Sequence, residues 1–302
     1  MGKYRVVLHF LAVAAMIWLS SSCTEVDLPS GDGDFKIQNG DVTLAGNLIL
    51  PGTKGPYPVV VIVPGSGRVD YRSARILFNE LPNHGIAVLS YDKRGVGQST
   101  GTYEIVNAAN SSEVFHELAG DVVAWVEFLS RHKDINPGQI GLVSISQGGW
   151  IAPLAATMNS KVSFIVNTVG PSVTIGKESH YSFLTQEKQA LPDGTINGFS
   201  IATLNEFAAN FKGFQGFDPR PSIEGLAIPG LWIFAEWDES IPTGLCVEIL
   251  EEIKQTSNKN FTIRILSKAN HQLNDITTGQ SIEFVTDEGG VVNWIKGVLS
   301  TG

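Results

Sequence analysis

The chain has 302 residues, 43% of them hydrophobic and 17% charged, with a formal net charge of −9. That apolar fraction excludes a disordered chain, and the length suits one large domain with a sizeable core. The acidic balance disfavours nucleic acid and anionic lipid headgroups as partners.

Residues 1–22 have the make-up of an export signal. Lys3 and Arg5 give a basic start, residues 6–19 are apolar apart from His9, and Ser20-Ser21-Ser22 precede Cys23. The apolar run is shorter than the ~20 residues of a membrane-spanning helix. Small residues followed by cysteine resemble a bacterial lipoprotein signal, in which the cysteine becomes the lipidated first residue. The expectation is an exported protein whose one membrane contact is a lipid anchor at Cys23; otherwise it is periplasmic or secreted. Residues 23–34 are polar and read as a flexible tether to a domain over 35–302. Cys23 and Cys246 are the two cysteines, and no Cys-x-x-Cys pair exists, which argues against a zinc site or disulfide framework.

Beyond the tether, strand-like and helix-like patterns alternate. Strands are expected at 42–50, 58–63, 86–91, 140–145, 162–167, 229–235 and 261–266. Val59-Val60-Val61-Ile62-Val63 has the unbroken apolar character of a strand buried on both faces. Helices are expected at 73–83, 113–131, 148–158, 243–254 and 282–298. The alternation predicts an α/β fold with a mostly parallel central sheet and helices on both faces. Residues 171–228 break the rhythm. A structureless loop of that length inside a compact domain is improbable, so the segment reads as a mainly helical lid insertion, rich in phenylalanine.

Four short segments carry chemistry. Ser144-Ile145-Ser146-Gln147-Gly148 sits between an expected strand and an expected helix, the context of a G-x-S-x-G turn with Ser144 in place of the first glycine. Such a turn lifts the Ser146 hydroxyl above the sheet edge and aims the Gln147 N–H at a developing oxyanion. Ser144, inside the strand, is expected to be buried. Pro64-Gly65-Ser66-Gly67 follows a buried strand, and the Ser66 N–H, then that of Gly67, is the candidate second oxyanion donor. A phosphate loop fails on spacing, because no Gly-Lys-Ser/Thr follows. Asp238 follows the strand at 229–235 and is the candidate acid, with Glu236 and Glu239 as fallbacks. Of six histidines, His271 lies just after the last strand and is the candidate base. His84, His116 and His132 read as surface or packing residues, and His180 falls in the insertion. The order Ser146, Asp238, His271 is that of a Ser–acid–His hydrolase. A serine hydroxyl needs a base during attack, imidazole titrates near neutrality, and the aspartate fixes its tautomer. Neither a metal nor an organic cofactor is expected.

These segments together resemble the alpha/beta-hydrolase branch of serine-aminopeptidase-like and dienelactone-hydrolase-like carboxylesterases. The resemblance rests on Thr43-Leu44-Ala45-Gly46, the turn at 64–67, Tyr91-Asp92-Lys93-Arg94-Gly95-Val96-Gly97-Gln98-Ser99, and Ser146-Gln147-Gly148-Gly149-Trp150-Ile151-Ala152-Pro153. It implies an alpha/beta-hydrolase fold, with Asp92 and Arg94 architectural. It also implies cleavage of a small-molecule carboxylic ester through an acyl-serine. Two other readings stay open: an aminopeptidase or amidase with the same triad, and a non-catalytic ligand-binding surface lipoprotein. Substrate contacts and oligomeric state are unassigned.

Overall fold

The computed structural model describes residues 29–300. The signal and the lipidated cysteine expected over 1–23 lie outside those residues, as does most of the tether. In chain order the first elements are β1 (Gly33–Asn39), β2 (Val42–Ile49), β3 (Tyr57–Val63), α1 (Tyr71–Ala74), β4 (Ala87–Tyr91), α2 (Ser111–Leu129), β5 (Ile135–Ile145), α3 (Gly148–Met158) and β6 (Val162–Thr168). The insertion holds α4 (Ile175–Thr185), the strands β7 (Thr195–Ile196) and β8 (Phe199–Ser200), α5 (Ile201–Ala209) and α6 (Arg220–Gly225). The chain closes with β9 (Gly230–Ala235), α7 (Thr243–Ser257), β10 (Phe261–Leu266) and α8 (Val291–Ser300).

Eight strands form one sheet in the order β1-β2-β4-β3-β5-β6-β9-β10. The pairs β1–β2 and β2–β4 are antiparallel, and the pairs from β4 to β10 are parallel. The two-residue period of a strand sorts β3 between two cores. Val59, Val61 and Val63 face a layer filled from α2, α3 and α7, with Trp125, Ile151 and Leu250 fully or almost fully buried. Val60 and Ile62 face the opposite layer, where Phe78, Leu81, Val291 and Ile295 pack. Burial on both faces is why β3 is an apolar run with no polar alternation.

Four expected elements differ from the structure. β1 starts where the tether is expected, and Gly33 and Asp34 already pair with Leu48 and Asn47. As a half-exposed edge strand it keeps polar residues at alternate positions, which hides it in the sequence. The helix expected over 73–83 is instead α1 followed by two 3₁₀ turns, Ile76–Phe78 and Leu81–His84. Asp70 caps α1 by accepting from the Ser73 N–H, so the helix starts earlier, and Pro82 has no N–H with which to continue it. The helix expected over 282–298 begins only at Val291. Before it, the Glu283 carboxylate accepts the N–H groups of Val285 and Thr286, and Gly289 has φ +80°. β5 starts at Ile135, with a register shift in its pairing to β3 before Val59.

Parallel strands put their C-terminal ends on one edge of the sheet, and in open sheets that edge is where ligands bind. The residues that follow β3, β5, β9 and β10 are the ones that carry candidate chemistry.

Candidate active site

Ser146 follows β5 with φ +50°, a left-handed conformation that costs a non-glycine residue roughly 1–2 kcal/mol. The turn holds because the surrounding chain over-determines it. The Ser146 N–H donates to Thr168 O on β6 at 3.0 Å, and Ser146 O accepts from the Gly149 N–H at 2.7 Å. Gly148 is required: a Cβ there would stand 2.4 Å from Val63 O. Ser144 is fully buried inside β5, where its hydroxyl donates to Val166 O at 3.3 Å. A Cβ at Gly148 would also meet the Ser144 Cβ at 3.1 Å, so the strand and the helix approach closely at this point.

The Ser146 hydroxyl lies 3.0 Å from His271 Nε2. On the other side of the ring, Nδ1 lies 2.9 Å from Asp238 Oδ2 and 3.0 Å from Oδ1. A carboxylate only accepts, so Nδ1–H donates to Asp238 and Nε2 is left to accept from Ser146. Asp238 is 1% exposed, and its Oδ1 also accepts the N–H groups of Ser240 at 2.8 Å and Ile241 at 2.7 Å. Burial pushes the His271 pKa down, but the Asp238 charge and hydrogen bond, with Glu239 and Glu178 adding, outweigh it and leave the pKa raised.

The two fallback acids do other work. Glu239 accepts the His271 backbone N–H at 3.1 Å, and Glu236 accepts from the Ser267 hydroxyl at 2.9 Å and the Lys268 N–H at 2.8 Å. Both tie the acid loop to the base loop. Of the other described histidines, His116 Nδ1 contacts Ser112 O on its own helix at 2.6 Å and His180 stacks on Phe211. His132 is 3% exposed and packs edge-on against Phe35.

The Gly65-Ser66 turn lies beside the nucleophile, with a Cβ at Gly65 falling 3.4 Å from the Ser146 Cβ. Gly65, Ser66, Ser146 and His271 share a cleft of about 290 Å³ whose apolar walls are Ile76, Leu77, Ile145, Val169 and Leu273. Asp92 holds the neighbouring loop by accepting the Tyr71 N–H at 2.9 Å and the Gln98 N–H at 2.7 Å. Arg94 pairs with Asp121 at 2.8 Å and Glu117 at 3.3 Å.

Sequence reasoning did not place Tyr181, Ser182, Thr185 or Lys93 at the site. On α4 of the insertion, Tyr181, Ser182 and Thr185 donate hydroxyls to the carbonyls of Asp238, Ser240 and Glu239 at 2.8, 3.0 and 2.6 Å. The insertion therefore braces the acid loop from outside. Glu178, on the same helix, has its pKa pushed up to about 7 by burial. Lys93 is 3% exposed and donates to Gly65 O and Gln147 Oε1, each at 2.9 Å. It sits between Asp92 and Arg94 in a motif already singled out, which is the one signal that pointed to it. Among the described residues no group of three or more His, Cys, Asp or Glu could hold a metal ion, and no helix is long and apolar enough to cross a membrane.

Compared with known proteins, residues 54–203 match the serine aminopeptidase S33 family. The esterase EstD of Thermotoga maritima is 26% identical over 283 residues, an alignment covering 86% of this chain and 66% of that protein. A putative carboxymethylenebutenolidase of Synechocystis is 25% identical over 225 residues, 65% of this chain and 91% of that protein. Among solved structures, the esterase Pf2001 of Pyrococcus furiosus superposes with a TM-score of 0.58 at 18% identity, covering 90% of each chain. At that identity the superposition speaks for the fold alone.

Proposed function

Because this chain belongs to the alpha/beta-hydrolase superfamily, on its esterase branch, we propose that it hydrolyses small to medium carboxylic esters through an acyl-enzyme on Ser146. The observation that carries the reading is the unbroken hydrogen-bonded line from Ser146 through His271 to buried Asp238, opening into an apolar cleft.

The chemistry follows from the geometry. With an ester carbonyl over Ser146, its oxygen faces the N–H groups of Gln147 and Ser66. As the Ser146 oxygen attacks, His271 Nε2 takes its proton, because a neutral hydroxyl is a poor nucleophile. Asp238 holds the ring in the accepting tautomer and stabilises the imidazolium that forms. The two N–H groups stabilise charge that exists only after attack begins, so they lower the barrier without holding the substrate more tightly. The imidazolium then gives its proton to the departing alcohol. Water, deprotonated by His271, attacks the acyl-serine and releases the acid.

The cleft decides substrate size. At about 290 Å³ it lies at the small end of ligand sites, which run from roughly 300 to 1,000 Å³. Apart from His271, no ionisable side chain among the described residues lines it, so an uncharged apolar acyl or alcohol group fits best. A p-nitrophenyl ester series from acetate to decanoate should show kcat/KM highest among the short and medium chains and falling by decanoate. Folded protein that turns over none of these esters, yet releases amine from acyl anilides, would show that the substrate class is wrong.

A further inference from the structure

Lys93 Nζ touches both halves of the candidate oxyanion hole. One hydrogen bond goes to Gly65 O and the other to Gln147 Oε1, each at 2.9 Å. A trans peptide directs its C=O and N–H to opposite sides. Holding Gly65 O on the lysine therefore turns the next N–H, that of Ser66, away from it. Ser66 lines the cleft with Ser146 and His271, where a substrate carbonyl would lie. The second bond anchors the side chain of Gln147, whose backbone supplies the other donor.

The charge itself is unusual in its setting. Lys93 is 3% exposed, and a buried cation is costly unless something draws on it. The Tyr103 ring lies 5.8 Å from its Nζ and Glu104 lines the same small cavity, while three other carboxylates are committed elsewhere. Asp92 accepts two backbone N–H groups, and Asp121 and Glu117 are taken by Arg94. A positive charge is thus held behind the point where a negative one would develop.

We propose that Lys93 is a positioning residue, whose ammonium clamps the Gly65–Ser66 peptide and Gln147 so that both N–H groups stay aimed at the oxyanion, and whose charge adds to its stabilisation. This rests on the esterase reading above. Burial lowers the Lys93 pKa to about 8. The charge is therefore present below that pH and lost above it, and part of the clamp goes with it. Arg94, Tyr103, Glu104 and Glu117 lie around a small cavity beside Lys93, and His271, Glu178 and Glu239 cluster at the triad. All of these remain in a Lys93 variant, so any pH dependence they cause remains too.

The experiment measures p-nitrophenyl butyrate hydrolysis by wild type, Ser146→Ala, Lys93→Met and Lys93→Gln, across pH values spanning the His271 and Lys93 transitions. Loss of a whole oxyanion donor costs about 10²- to 10³-fold in kcat, so loss of its positioning should cost about 10- to 100-fold. KM should stay within about 3-fold, because the interaction grows only in the transition state. Wild-type kcat should decline above about pH 8, and that alkaline limb should be missing from Lys93→Gln. Gln retains a neutral donor in a similar volume, so it decides the matter if Lys93→Met does not fold. A folded variant with kcat unchanged, or an alkaline limb that is the same in wild type and Lys93→Gln, would each overturn the assignment. Full turnover in Ser146→Ala would instead sink the esterase reading and this one with it. Ser146-dependent turnover that ignores Lys93 would sink this one alone.

Discussion

Ser146→Ala should lose about 10⁵- to 10⁶-fold in kcat on p-nitrophenyl butyrate while melting within a few degrees of wild type. The size of the loss follows from the role. Without the hydroxyl no acyl-enzyme forms, and His271 and Asp238 have no proton to move. What survives is the modest catalysis of water by the oxyanion donors and by binding. The stability cost is small because alanine adopts the same left-handed backbone at the same penalty. One partly exposed hydrogen bond to His271 is lost, worth about 1 kcal/mol. Rates and thermal melts on one preparation separate chemistry from folding. A variant that melts normally and keeps more than a hundredth of the wild-type rate would mean that another group does the attack.

Asp238→Asn should cost about 10⁴-fold in kcat and also move the acid limb of kcat/KM. Asn is nearly isosteric, but it can turn its amide N–H₂ toward His271 Nδ1. That ring nitrogen would then accept, Nε2 would carry the proton, and Ser146 would face a donor where it needs a base. The sign of the pH effect follows from the raised His271 pKa. The imidazole in wild type stays protonated to a higher pH than a free histidine of pKa 6.5, so activity is present above that raised value and lost as pH falls through it. Removing the Asp238 charge takes away the largest of the interactions holding the value up, and burial then dominates. The acid limb should shift to lower pH even as the maximum collapses. An unshifted limb would mean that His271 is not the group being titrated.

Much of this arrangement can be read from one chain because the physics is local. Val59–Val63 announces itself as a strand because burial on both faces leaves no room for polar alternation. The turn at Ser146 is legible because a Cβ at Gly148 would collide with Val63 O, a constraint visible as a glycine two residues on. Asp238 and His271 are legible from position alone, each in the first loop after a late strand.

Other features depend on contacts that no local pattern encodes. Tyr181 reaches the carbonyl of Asp238 across 57 residues, and nothing in α4 distinguishes that tyrosine from one turned to solvent. Nothing in the sequence marks Lys93 as buried, because its partners Gly65 and Gln147 come from the end of β3 and the start of α3. The stretch before α8 misleads for the opposite reason. Phe284, Val285, Val291, Val292 and Ile295 pack into one core, and their spacing imitates a helix. Glu283 has already turned the backbone aside by accepting the Val285 and Thr286 N–H groups.

The most direct test of the account is a covalent one. Folded protein is treated with a serine-directed fluorophosphonate, digested, and the adduct located by mass spectrometry. One adduct per chain, on the Ser146 hydroxyl, lost when the protein is unfolded before labelling and slowed strongly in Asp238→Asn, is the predicted result. No labelling of the folded chain, or an adduct on another residue such as Ser66, would contradict the claim that Ser146 is the nucleophile of an acyl-transfer site.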